Sequence, residues 1–400
     1  MQERTATTQK KDYRDMNPEE LAAAIEENKK IFDEYFDLPF TQSLTREVIR
    51  FLNMYFRPVF IGFEHMPDRR DTERPLIFAM NHSGMAFPWD GIVFASGLMD
   101  NQHYDLGKSL RPLAAPMLSA STLMNPFLLK NVWKRVGAVD ATGLNFETMM
   151  HYPHSQLLIY PEGVPGIGKG FNRKYQLQPF STSIVRMAIK YKTDIVSCLC
   201  INGEYINPYS YSWRPIDRLV QKIGIPFLPI SVLTILILVQ PWMFYYAWPA
   251  RLTYLLGKRY SPADMAGGRA LEDLSPEEIA GIRDQVQAAM QAELDEGVRK
   301  YGKHPYQWGD FFRSLIKNWR ELPYWIPPGW PALFSEYDRR YYKDKELPTR
   351  ITRGWFTFWK IVWRNPIILA YFIPVLGWIP LAWRGLRGRQ KVRAWEGSQV

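Results

Sequence analysis

Six short runs of apolar and β-branched residues, PVFIGF, PLIFAMN, RPLAAPM, VGAVDA, QLLIYPEG and DIVSCLCING, follow one another between Pro58 and Gly203. Helical patterns lie between them, at Gly91 to Leu98 and Ser181 to Tyr191. Strands separated by helices return over a face of the sheet, which favours parallel neighbours. The expected fold is therefore α/β, a mixed, largely parallel sheet flanked by helices. In such sheets functional residues gather on loops at the carboxyl ends of strands, and both MNHSG and YPEGVPG stand where a strand should run out.

The flanks read differently. Residues 1–40 form a polar, then helical, extension in which Asn17 suits an N-cap, Pro18 the first helical position, and Glu19 and Glu20 the first turn. Val48, Phe51, Leu52 and Tyr55 recur at helical spacing and predict a second helix over Thr45 to Phe56. A main domain is expected over 41–303 and an aromatic, basic helical tail over 304–400. Two uncharged runs, Ile223 to Pro249 and Pro366 to Trp383, are long enough to cross a bilayer but are broken by internal prolines. Trp355, Phe358, Trp359, Val362 and Trp363 form an aromatic stripe upstream of the second run, and RGLRGRQKVR follows it. Rings with cations beside them are how an interfacial helix anchors to anionic lipid, so monotopic attachment ranks ahead of spanning. The amino terminus, MQERTATTQKKDYRD, lacks the apolar stretch of a signal peptide, which points to the cytoplasmic face.

Charge and cysteine content narrow the chemistry. A net charge of +10 favours an anionic partner, be it nucleic acid, a bilayer surface or a phosphate-bearing substrate, without choosing among them. The two cysteines, Cys198 and Cys200, stand two apart in an apolar run. That spacing suits strand packing and leaves a zinc site or a disulfide framework short of ligands.

In MNHSGMAFPWDG a histidine leaves a strand and a carboxylate follows beyond a loop holding Gly84 and Pro88. An acid that orients an imidazole stabilises its protonated form, which makes His82 a candidate general base and Asp90 its partner. The stretch Gly163 to Lys169 reads G-x-x-x-x-G-K, the start of a nucleotide P-loop, but Gly170 stands where the magnesium-binding hydroxyl belongs. FNRKYQLQPF then reads as an extended basic connection instead of a helix start. What remains is a glycine-rich turn beside Lys169, Arg173 and Lys174, suited to phosphate groups of some other ligand.

In their order these blocks resemble the PlsC-like, lysophospholipid acyltransferase superfamily. FRPVFIGFEHMP is similar to its opening strand, RVGAVDATGLNFETM to its second block, YPEGVPG to its third, DIVSCLCINGEY to its fourth, and PARLTYLLGKRY to a late strand before a helix. The resemblance covers Phe56 to Lys300 or thereabouts. It implies transfer of a fatty acyl group from coenzyme A or acyl carrier protein to a hydroxyl of a glycerolipid or related lipid alcohol. The thioester is then a co-substrate, with no metal or other cofactor, no nucleic acid, and a membrane surface as partner. His82 would act as base oriented by Asp90, with Ser83, Gly84, Glu162 and Gly163 shaping the substrate site and Lys169, Arg173 and Lys174 meeting phosphates of the donor. Two departures stand out. Seven residues, Ser83 to Trp89, separate the His from the Asp, more than the family spacing, and Thr142 and Pro165 stand where phosphate-acceptor members carry arginines. The lengthened loop and missing arginines motivate an alternative, a catalytically inactive lipid-binding scaffold. They also favour a less charged acceptor alcohol, unless Lys169 or Arg173 substitutes for the arginines.

Overall fold

Seven strands form one sheet in the computed structural model, which describes residues 12–84, 87–120, 124–221, 227–341, 351 and 354–387. They are β1 (Val59–Ile61), β2 (Ile77–Met80), β3 (Leu110–Ala114), β4 (Val139–Asp140), β5 (Gln156–Ile159), β6 (Ile195–Ile201) and β7 (Thr253–Tyr260). Each apolar run of the sequence holds one of them. The order is β1-β7-β6-β2-β5-β3-β4, and every neighbouring pair is parallel except β6 and β7.

Every residue of β2, β5 and β6 is buried. Apolar runs without alternation need cover on both faces, and the pleat divides their side chains between two cores. Phe78 and Met80 of β2 join Val196, Cys198 and Cys200 of β6 on one face, whereas Ile77 and Ala79 join Ile195, Leu199 and Ile201 on the other. The two cysteines are thus packing residues, and burial pushes both thiols up. Helices Arg50–Phe56, Trp89–Asn101 and Trp330–Arg339 cover the first face. Helices Gly143–Met149, Ser183–Lys190 and Pro276–Tyr301 cover the second.

The amino-terminal helix runs from Pro18 to Tyr35, and Asn17 and Glu20 cap it reciprocally. It docks on the second face through Phe32 and through an Asn28 to Asn145 side-chain bond of 3.0 Å. The helix expected over Thr45 to Phe56 starts earlier, at Leu38, and passes through one π turn, Thr45–Ile49. Val48, Phe51, Leu52 and Tyr55 are all buried, as their spacing requires.

Part of the segment expected as an aromatic, basic tail, 304–400, packs on the sheet. Phe311, Tyr324, Trp325, Trp330, Phe334 and Tyr337 are buried in the same core as Phe56 and Trp89. Trp330 lies edge-on to Trp89 at 5.1 Å and to Tyr55 at 5.4 Å. The reason is that short strands expose much apolar area on each face, and the tail's rings are what closes one of them. The aromatic stripe further on is split: Val362 is buried and Phe358 packs against Tyr324, whereas Trp355, Trp359 and Trp363 face outward. Among the described residues no helix is long and apolar enough to cross a membrane. Part of the first uncharged run, 223–226, and most of the basic tail, 388–400, lie outside the described residues.

Because Trp330 is fully buried against the residues that cover the sheet, Trp330→Ala should cost about 3–5 kcal/mol of stability, read as a lowered urea midpoint. An unchanged midpoint would mean that this segment does not belong to the sheet's core.

Candidate functional site

β2, β5 and β6 are adjacent and parallel, so the loops that leave their carboxyl ends emerge on one edge of the sheet. The loop after β2 begins with Asn81 and His82. Asn81 is fully buried and pairs with the Cys200 peptide in both directions, donating to its carbonyl at 3.0 Å and accepting its N–H at 2.7 Å. This side chain extends the β2–β6 ladder one step and fixes where His82 leaves the sheet.

Asp90 lies in the first turn of helix Trp89–Asn101, where the helix dipole favours a carboxylate. That turn is held from outside: the Trp89 indole donates to the Tyr245 carbonyl at 3.0 Å and the Tyr254 hydroxyl to the Asp90 carbonyl at 2.7 Å. With both ends anchored, the long loop returns the carboxylate to the ring, and His82 Nδ1 lies 3.0 Å from Asp90 Oδ2. Met85 and Ala86 within the loop lie outside the described residues. The Asp90 side chain is 1% exposed and that of His82 14%, so the carboxylate is sealed while the imidazole can still be reached. The ring of Tyr160, first residue after β5, lies against the imidazole at 4.3 Å. Its hydroxyl fills the space a side chain at position 91 would need, since a Cβ on Gly91 would meet it at 2.7 Å.

Glu162 is buried and holds two backbone segments at once. Its Oε1 accepts the His82 N–H at 2.9 Å and its Oε2 the Gln178 N–H at 2.6 Å. Burial raises the pKa of this carboxyl, and Lys169 opposes that rise. The Lys169 ammonium, 0% exposed at its side chain, stands 3.6 Å from Glu162 and 3.6 Å from Glu204, and donates to the Gln176 carbonyl at 3.1 Å. Glu204 follows β6 and accepts the Tyr175 N–H at 3.0 Å. One buried cation therefore ties together the loops after β5 and β6, and through Glu162 the backbone of His82.

This placement revises the expected substrate contacts. Lys169 is an internal counter-ion rather than an open phosphate contact, because two buried carboxylates demand a partner. No helix starts at Lys169, and only a short 3-10 turn, Phe171–Arg173, follows. Ser83 and Gly84 are buried where the loops after β2 and β6 touch, with a Cβ on Gly84 only 2.9 Å from the Gly203 carbonyl. They are packed between these loops, away from solvent. Gly163 is exposed at a positive φ of 57°, which admits glycine without strain, and Arg173 and Lys174 are exposed, with Lys174 over the Phe171 ring. Thr142 caps helix Gly143–Met149, and Pro165 is exposed on the turn after Glu162.

Asn81, Tyr160 and Glu204 were not singled out from the sequence as site residues. Glu204 had a signal, since it stands just beyond β6 much as Glu162 stands just beyond β5. Tyr160 had none, because stacking on His82 depends on which way the strand end faces.

Replacing Lys169 should reveal the charge it neutralises. Without the cation Glu162 would sit further above its unfolded pKa, so its ionisation would oppose folding as pH rises from that unfolded value. Lys169→Met is therefore expected to lose about 3–5 kcal/mol near neutral pH and to recover part of this as the pH falls toward the usual carboxylate range. Thermal melts across pH check it; a loss independent of pH would refute the charge assignment.

Comparison with known proteins gives relatives without an assigned role. The chain is 28% identical over 204 residues to uncharacterized proteins of Mycobacterium bovis, Mycobacterium tuberculosis and Mycobacterium leprae. The match takes in 50% of this chain and 52% of the first two relatives, or 51% of the third, so the chain spans about half the length of the curated relatives it matches. No family model matches, and no solved structure does.

Proposed function

We propose that this chain is an acyltransferase that moves a fatty acyl group from an acyl thioester to a hydroxyl of a lipid alcohol at a membrane surface. The observation that carries the reading is the 3.0 Å contact between His82 Nδ1 and a sealed Asp90 carboxylate, made across a loop longer than the family spacing. The non-catalytic alternative drew on that same lengthened loop and on the missing arginines, and the contact supports the catalytic reading against the first of these.

With the Nδ1 proton held toward Asp90, Nε2 carries the lone pair and takes the proton of the acceptor hydroxyl. The alcohol oxygen attacks the thioester carbonyl, the tetrahedral centre collapses with cleavage of the carbon–sulfur bond, and the imidazolium returns its proton to the departing thiolate. Atoms and charge balance without a covalent acyl-enzyme, so no serine or cysteine nucleophile is required. Asp90 stabilises the imidazolium while it lasts, and the Tyr160 ring and the Glu162 bond to the His82 backbone restrict where the imidazole points. Arg173 and Lys174, exposed on the loop beyond Glu162, are the cations available to donor phosphates. Thr142 and Pro165 in place of arginines favour an uncharged acceptor such as a diacylglycerol or glycolipid.

Incubating the protein with a labelled acyl thioester and a panel of neutral and phosphorylated lipid alcohols tests this. His82→Ala should lower kcat about 10²- to 10⁴-fold, the usual worth of a general base, and leave the fold intact. Asp90→Asn, which keeps the shape but not the charge, should lower kcat more than it alters KM. Full turnover by His82→Ala would remove it as the base.

A further inference from the structure

The two uncharged runs, far apart in sequence, are joined in the structure. Helix Val232–Val239 belongs to the first and residues 366–383 to the second. The Val375 N–H donates to the Val239 carbonyl at 2.8 Å, the Trp242 N–H to the Tyr371 carbonyl at 3.1 Å, and the Trp378 indole to the Ile237 carbonyl at 3.0 Å. From this joined unit Val232, Ile235 and Leu238 stand 74%, 65% and 66% exposed, and Ile373, Leu376 and Ile379 stand 46%, 64% and 66% exposed. Apolar side chains gathered this way on a surface otherwise able to bury them mark an interaction site.

We infer that these two segments form one bipartite face that inserts into a single leaflet of a bilayer containing anionic lipid. Charge selects the occupant. No Asp or Glu occurs from Phe227 to Pro249 or from Gly354 to Arg387, and the charges bordering the second run, Lys360, Arg364 and Arg384, are exposed cations. A second copy of the same face would bring like charges together, whereas anionic headgroups complement them. The outward rings of Trp359 and Trp363 lie on the helix just before, beside Arg364, as residues at headgroup depth do. Helix Val232–Val239 is too short to cross, so its exposed apolar side chains and those of the second segment enter one leaflet only.

One end of the first segment is tied to the basic loop beyond Glu162. Ile230, at the start of the first segment, pairs with Tyr211 through bonds of 3.1 and 2.8 Å, and the preceding residue's carbonyl, that of Ser210, accepts the N–H of Phe171 in the basic loop at 2.7 Å. A lipid acceptor could thus present its hydroxyl toward His82 while its chains stay in the leaflet. This last point rests on the acyl-transfer reading; the insertion itself does not.

Flotation of the full chain with phosphatidylcholine–phosphatidylglycerol vesicles tests the face. The protein should rise with the vesicles, and chain-brominated lipid should quench its tryptophan fluorescence. The double substitution Ile235→Glu with Leu376→Glu should weaken partitioning about tenfold or more, from the apolar area withheld from lipid. A chain that stays at the bottom, a doubly substituted chain that floats as the parent does, or fluorescence unaffected by brominated lipid would each overturn the inference. So would a dimer that the substitutions disperse without any vesicle binding, which would assign the face to a second copy. If the glutamates prevent folding, the quenching measurement on the unaltered chain still decides. Transfer to a short-chain, monomeric acceptor separates the two claims: retained transfer without flotation sinks only the face, and flotation without transfer sinks only the reaction.

Discussion

A lysine buried between two glutamates organises this molecule's candidate site. In low dielectric an ammonium without partners would lose its proton, and two carboxylates without a cation would repel each other and take one up. Lys169, Glu162 and Glu204 meet these demands together, and since each hangs from a different point on the loops after β5 and β6, the loops cannot move independently. Glu162 then passes the constraint to β2 by accepting the His82 N–H. Asp90 arrives from a separate direction, on a helix anchored by Trp89 and Tyr254. His82 and Asp90 are held by different parts of the fold, and they meet because each part is anchored by its own hydrogen bonds.

The strands were legible because fully buried parallel strands write themselves as unbroken apolar runs, and each run here holds one. The contact between His82 and Asp90 was legible, though the loop between them is longer than the resemblance leads one to expect. Lys169 was misread for a physical reason. A lysine after a glycine-rich turn reads as exposed, and only its carboxylate neighbours, Glu204 among them from a block that far along the chain, turn it inward. The tail was legible only in part. Hydrophobicity showed that residues 304–400 seek apolar surroundings, but the sequence could not say that Trp330 and Tyr337 would find them on the sheet while Leu376 and Trp363 would not.

That division gives the apolar tail two roles. Its inward rings complete the core over one face of the sheet, and its outward side chains, joined to helix Val232–Val239, make the surface assigned here to lipid. On the proposed reaction the chain meets a thioester from water and an acceptor from a bilayer, and so needs a site near the boundary between them. Hydrogen bonds from Ile230 through Tyr211 and Ser210 to Phe171 tie the start of the first apolar segment to the basic loop.

The central claim is direct transfer, with His82 activating the acceptor and no acyl group resting on the protein. A single-turnover experiment with excess protein, radiolabelled acyl thioester and lipid alcohol, quenched over time, tests it most directly. The account predicts label moving from thioester to lipid with none retained on denatured protein at any time, and no transfer by His82→Ala. Label accumulating on the protein before it reaches lipid, or transfer that persists without His82, would contradict it.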